Sequence, residues 1–223
     1  FLKANPQFTK SQIQNLIESS RSKPLRNRNG RALSRSLIVT AIAASLYDNG
    51  LGWANLKVGL TRALNQGNPE RLLTIADDYN NRDSSGHYFN NQNDIGIMIN
   101  CLDWNTRSSY EELTKDVPNF VKASETFGKY IAYGTLPCSY WKAPPLQPKL
   151  PFKNIKSTKF MIIGVTKDPA TPYVWSQNLA KEFPDSVLLT LNGEGHTGHN
   201  RGVKCIDSKV DAYFLRGELP EAG

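Results

Sequence analysis

No stretch of this chain is apolar for long enough to cross a bilayer. The longest nearly apolar run, Leu37 to Tyr47, is interrupted by Thr40 and Ser45, against the roughly 20 residues a spanning helix requires. No membrane span is expected. Phe1 is not an initiator Met, and the first residues lack the charged-then-apolar pattern of a signal peptide; this start points to a mature, processed or truncated polypeptide. Cysteine is scarce, with Cys101, Cys138 and Cys205 making 3 in all. None forms a Cys-x-x-Cys pair, which removes thioredoxin-like and common zinc-binding spacings. An odd count leaves two arrangements open: buried thiols throughout, or one pair with the third cysteine partnered outside this stretch. Aromatic residues are missing between Phe8 and Tyr47, where Arg21, Lys23, Arg26, Arg28, Arg31 and Arg35 crowd together. A nucleic-acid surface needs such a patch plus stacking rings or a groove-entering motif. The patch therefore reads as a solvated loop before a helix, and no nucleic-acid partner is expected despite the net charge of +7.

What is present fits a globular chain, at 223 residues, 39% hydrophobic and 21% charged. Thr9 and Gln12 have the form of a capping box, followed by Ile13, Leu16 and Ile17 on one helical face. Residues Ser20 to Gly30 read as a loop. Helices are expected from Ala32 to Tyr47, stopped by Asn49-Gly50, and from Trp53 through Leu64 to Gly67. Asn68-Pro69 pairs an N-cap with proline at the first position of a further helix through Leu72, Leu73, Ala76 and Tyr79. Asn80 to Asp94 is loop-like, and Ile95 to Leu102 reads as strand or buried coil. Tyr110 to Tyr130 looks helical, with Pro118 starting or kinking a helix. Pro144 to Pro151 is a proline-rich connector and marks the internal boundary.

Beyond the connector the texture changes to strand, helix, strand, helix. Lys159 to Val165 and Ser186 to Leu191 are the strands. Thr171-Pro172 opens the first helix, and Cys205 to Leu215 forms the second, closed by Gly217 and Pro220. This order predicts a parallel α/β layer with a crossover connection. Two strands alone do not make a stable parallel sheet, because such sheets are buried on both faces. Functional groups in open α/β sheets sit on loops leaving the carboxyl ends of strands. Asp168 follows the first strand, in Gly164-Val-Thr-Lys-Asp168-Pro-Ala-Thr-Pro-Tyr173. His196 follows the second, in Asn192-Gly-Glu-Gly-His196-Thr-Gly-His199. A carboxylate that accepts from histidine Nδ1–H fixes the tautomer needed for acyl transfer. The order Asp then His is that of the last two triad members of an α/β-hydrolase. The serine elbow Gly-x-Ser-x-Gly is absent; the nearest fragment, Ser84-Ser85-Gly86, has Arg82 where the first glycine belongs. His196-x-x-His199 is not the i, i+4 pair of a helical zinc site and encloses no Glu. His199 is read as a loop residue, and neither a metal nor a cofactor is expected.

Three blocks carry a family resemblance. They are Asp168-Pro-Ala-Thr-Pro-Tyr173; Gly195-His196-Thr197 with Cys205-Ile-Asp and Ala212-Tyr-Phe-Leu-Arg-Gly-Glu-Leu-Pro220; and Ala41-Ile-Ala-Ala-Ser-Leu-Tyr47 with Trp53, Ala76-Asp-Asp-Tyr79 and Ile99-Asn-Cys-Leu-Asp103. From Ala32 to Gly223 the chain resembles the C-terminal part of the tripeptidyl aminopeptidase-like α/β-hydrolases. These are relatives of prolyl aminopeptidase, mostly exported by actinobacteria and some fungi. The resemblance implies fold class α/β, namely the C-terminal portion of an α/β-hydrolase with a mostly helical cap. Residues 1–150 would be cap and connector, and 151–223 the last strands and helices of the core. It implies Asp168 as triad acid and His196 as general base. The serine and oxyanion hole would lie in an N-terminal half, as a separate chain or as preceding sequence. It also implies a Cys101–Cys138 disulfide, a partner for Cys205 just beyond Gly223, and hence a secreted or cell-envelope location. The implied reaction releases tripeptides or single residues from peptide N-termini, and this chain alone would be inactive. A free α-amine calls for carboxylates near the cleft. Asp103 and Glu194 are the candidates, against plain roles as a turn cap and a solvated side chain. Two other functions remain: a hydrolase of small esters or amides, since the cap sets substrate choice, and a non-catalytic binding module.

Overall fold

Thr9 accepts from the Gln12 amide while the Gln12 side chain accepts from the Thr9 amide, so the capping box forms and starts α1, Lys10–Ser19. The computed structural model describes residues 1–144 and 159–221; most of the Pro144–Pro151 connector lies outside them. The chain divides into two compact units, Phe1–Ala44 with Asn55–Lys149 and Ser45–Ala54 with Leu150–Gly223.

The first unit is helical. After α1 come α2, Arg35–Ser45, α3, Leu51–Gln66, of which residues from Asn55 on belong to this unit, and α4, Glu70–Tyr79. Its core includes Ile17, Ile38, Leu56, Leu60 and Leu72 from these helices and Leu33 from the segment before α2, all essentially inaccessible to water. Leucine and isoleucine at helical spacing thus hold this unit by burial, each worth about 1.5–3 kcal/mol. The N-cap of α4 is Pro69, one position later than expected, and Asn68 stands just before it with its Oδ1 accepting from the Glu70 amide at 3.0 Å.

Two segments depart from expectation. Ile95 to Leu102 is neither strand nor buried coil; it belongs to α5, Gln92–Asp103. Asn90 Oδ1 accepts from the Gln92 amide at 3.1 Å and so supports its first turn. Among its residues only Cys101 is fully buried. A short apolar run has no period that separates helix from strand. Tyr110 to Tyr130 is not one helix but α6, Tyr110–Ala123, and α7, Gly128–Ile131. A Ser109–Glu112 capping box starts α6, and Pro118 is accommodated inside it. The chain then turns at Ser124, which is extended. Gly128 packs so closely that a Cβ there would lie 2.0 Å from the Phe120 carbonyl oxygen. The last helix of this unit is α8, Leu136–Ser139, and a disulfide joins its Cys138 to Cys101 of α5.

The second unit holds the sheet. Strand β1, Met161–Lys167, pairs in parallel with β2, Val187–Glu194. Both strands run further than expected, up to the two loops that matter. The register slips by one between Val165 and Lys167, where the Thr166 hydroxyl accepts from the Gly193 amide at 3.1 Å. The connecting helix α9, Tyr173–Glu182, lies close on β1 at Gly164. A Cβ at that position would sit 2.7 Å from the Tyr173 ring. Helix α10, Lys204–Arg216, buries Ile206, Val210 and Ala212 and ends at Gly217 in the left-handed conformation (φ 69°). Among the described residues no helix is long and apolar enough to cross a membrane.

Candidate active site

Asp168 begins the turn that leaves β1. Its Oδ1 accepts from the amides of Ala170 and Thr171, both at 2.8 Å. Its Oδ2 accepts from the Thr171 hydroxyl at 3.0 Å and the Thr197 amide at 3.3 Å. Aspartate followed by a proline-containing turn favours this self-capping geometry. The carboxylate is almost wholly withdrawn from solvent, retaining 3% exposure. Burial is the largest influence on it and pushes its pKa up. The Thr171 and Ala170 amides, then the His196 and Thr171 side chains, outweigh burial and hold the carboxyl below its ordinary value.

His196 stands on the loop that leaves β2. Its Nδ1 lies 2.9 Å from Asp168 Oδ2 and 3.0 Å from Oδ1. With the carboxylate ionised, Nδ1 carries the proton and donates it, which leaves the Nε2 lone pair as the basic atom. The His196 side chain keeps 28% of its exposure, so its far edge is open to a reactant. The His196 amide donates to the Tyr47 carbonyl at 2.8 Å, and the two rings lie 5.0 Å apart, tilted by 54°. The turn Tyr47–Gly50, with His196, Asn200 and Arg201, lines an open concavity of about 530 Å³.

The structure therefore brings Asp168 and His196 together. Glu194 is the last residue of β2, two positions before His196, and its carboxylate accepts from Lys167 at 3.1 Å. Asp103 is exposed at the end of α5, in the other unit. His199 faces Asp211, Nε2 to Oδ1 at 3.8 Å. Cys205 is a free, exposed thiol. Among the described residues no group of three His, Cys, Asp or Glu side chains is arranged to hold a metal. Sequence reasoning missed Thr171, Tyr47 and Arg201. Thr171, three residues after Asp168, has the spacing of an Asx-type cap and was findable on that signal. Tyr47 and Arg201 act through or upon backbone carbonyls, for which a single sequence carries no mark.

Residues 123–223 match the profile of a family described as TAP-like protein. Over 209 residues the chain is 33% identical to a serine protease of Mycobacterium tuberculosis, covering 91% of this chain and 39% of that protein. It is 30% identical over 214 residues to a carboxylesterase B of the same organism, covering 92% and 39%. Against a tripeptidyl aminopeptidase of Streptomyces lividans it is 27% identical over 132 residues, covering 57% and 24%. The chain thus spans about two fifths of the length of the first of these relatives.

Proposed function

From the match of residues 123–223 to a family described as TAP-like protein, we propose that this chain is the C-terminal part of an α/β-hydrolase and supplies the acid and base of a serine peptidase acting on peptide N-termini. In this reading His196 Nε2 takes the proton of a serine hydroxyl as its oxygen attacks the scissile carbonyl carbon. The same proton then passes to the leaving amine, and water repeats the cycle on the acyl-enzyme. Asp168 holds the tautomer and stabilises the imidazolium. The serine, in a Gly-x-Ser-x-Gly elbow, and the oxyanion-hole amides come from the other half of the hydrolase. Residues 1–150 then serve as cap and connector, and 151–223 complete the α/β core. Glu194, at the end of β2, is a candidate carboxylate for the substrate's α-amine, and Asp103, in the helical unit, is a separate candidate. The observation that carries the reading is the 2.9 Å contact between His196 Nδ1 and a buried Asp168. The Cys101–Cys138 disulfide supports a secreted or cell-envelope location.

The test uses the polypeptide that joins this chain to its elbow-bearing half. A fluorophosphonate probe should label its serine, and tripeptidyl or aminoacyl reporter amides should be cleaved. His196→Ala should abolish both with circular dichroism unchanged; undiminished turnover in that variant would end the proposal. A second reading, a hydrolase of small esters, is favoured by the carboxylesterase B likeness, which covers 92% of this chain against 57% for the tripeptidyl aminopeptidase. Ester turnover exceeding amide turnover at every peptide length would select it.

A further inference from the structure

The loop carrying His196 is not held by its own conformational preference. Thr197 (φ 67°) and Asn200 (φ 60°) are both left-handed without being glycine, a conformation that the Cβ disfavours, most of all at the β-branched Thr197. Gly195 is left-handed as well (φ 104°). Such a loop keeps its shape only if its surroundings over-determine it. Arg201 does this. Its Nη1 donates to the carbonyls of His196 at 3.1 Å and of Thr197 and Tyr47, both at 3.4 Å. Its Nη2 donates to the Glu194 carbonyl at 3.1 Å and to Asn49 Oδ1 at 2.9 Å. All five acceptors are neutral oxygens. They lie on both sides of His196 in the chain and on the facing turn whose Tyr47 carbonyl also receives the His196 amide. One planar guanidinium therefore ties the backbone before, at and after the imidazole to a single external anchor. Gly195 is the matching half of the device: a Cβ there would fall 2.5 Å from both Nη atoms and 2.8 Å from the Tyr47 carbonyl oxygen.

We propose that Arg201 is the positioning residue of the reaction, fixing the ring of His196 through the backbone of its loop, with Gly195 leaving the space the guanidinium needs. The proposal rests on the reading of His196 as general base. Arg201 touches no reacting atom, so its loss should act on the rate of chemistry and not on substrate binding.

The experiment compares wild type, Arg201→Lys and Arg201→Met in the joined polypeptide. Measured are kcat and KM on a reporter amide, the low-field proton resonance of the His196 Nδ1–H donating to Asp168, and thermal unfolding. Arg201→Met should lower kcat by about 10- to 100-fold, the cost of a misplacement near 1 Å, with KM within about twofold. The low-field resonance should broaden or vanish. Arg201→Lys should recover part of kcat, since an ammonium cannot bridge both sides of the loop at once. Added guanidinium ion should raise the turnover of Arg201→Met but not that of wild type. A kcat within about twofold of wild type, with the resonance intact, would overturn the proposal. Should Arg201→Met fail to fold, Arg201→Lys decides on the same two readouts. If wild type neither turns over nor takes the fluorophosphonate, the hydrolase reading fails. The resonance alone then judges Arg201: unchanged in the variants, it overturns the positioning role; lost in them, it supports it.

Discussion

Neutral imidazole exists as two tautomers, and only the one protonated at Nδ1 presents a lone pair at Nε2. Asp168 selects it because both carboxylate oxygens lie within 3.0 Å of Nδ1 and no proton sits on the carboxylate to compete. Asp168→Asn replaces that obligate acceptor with an amide that can also donate. In the joined polypeptide kcat should fall by about four orders of magnitude, with the far-ultraviolet spectrum preserved; a loss below tenfold would remove Asp168 from the mechanism. The same carboxylate predicts an acid limb in stability. Its pKa is held below the ordinary value in the fold, against about 3.9 in an unfolded chain. Around that pH the unfolded state therefore binds more protons. The stabilisation is fully present above about pH 4 and is lost as pH falls through the folded pKa. Melting temperature measured against pH should drop below about pH 4 in wild type, and less steeply in Asp168→Asn. Superimposable acid limbs would contradict this. Asp168 and His196 were legible in the sequence because each follows an apolar strand and their order is distinctive. Arg201 was not, since its five acceptors include four backbone carbonyls that any residues supply.

At the scale of elements, the Asp168 turn is aimed by the helix that follows it. Helix α9 settles onto β1 because Gly164 has no side chain, and Tyr173 reaches across to the Thr190 hydroxyl at 2.7 Å. Gly164→Ala would place a methyl 2.7 Å from the Tyr173 ring and 2.9 Å from Ser176 Cβ. It should cost about 1–3 kcal/mol, as overpacking does; urea unfolding within 0.5 kcal/mol of wild type, an error margin taken as roughly that of surface changes, would refute the tight docking. In the helical unit the disulfide closes a separation of 37 residues between Cys101 and Cys138. Chain-entropy arguments give about 3–4 kcal/mol for a loop of that length. Reduction should therefore lower the melting temperature of the wild type and leave a Cys101→Ser, Cys138→Ser double variant unchanged. Elements with strong local signals were readable: the Thr9 box, the helical leucines of α3, and the Gly217 stop. Those without them were not. Ile95 to Leu102 has the composition of a strand yet is helical, because its backbone is satisfied locally and nothing among the described residues pairs with it edge to edge. The break between α6 and α7 depends on the close approach of Gly128 to Phe120, a contact with no sequence period.

Among the described residues, each of the two units exposes large apolar side chains. Helix α5 exposes Ile95, Ile97, Met98 and Ile99 by 41% to 51%. In the other unit Trp175 is 58% and Phe214 78% exposed, and among the described residues the parallel sheet has two strands, where such sheets are normally covered on both faces. Four exposed apolar side chains within five residues of α5 are the kind of surface that a partner covers. In the proposed reading the partner is the half of the hydrolase that carries the serine elbow, consistent with the chain spanning 39% of its serine protease relative. The 223-residue chain by itself should then bind a hydrophobic dye such as anilinonaphthalene sulfonate strongly. It should show no turnover and no fluorophosphonate labelling, since in this reading the hydroxyl that His196 activates belongs to the other half. Supplying the elbow-bearing half, in trans or by fusion, should quench the dye signal and create labelling together, with a midpoint at the same concentration. Labelling without loss of dye binding would mean that these apolar faces serve another purpose. Dye loss without labelling would mean that the two halves meet without aligning serine and imidazole.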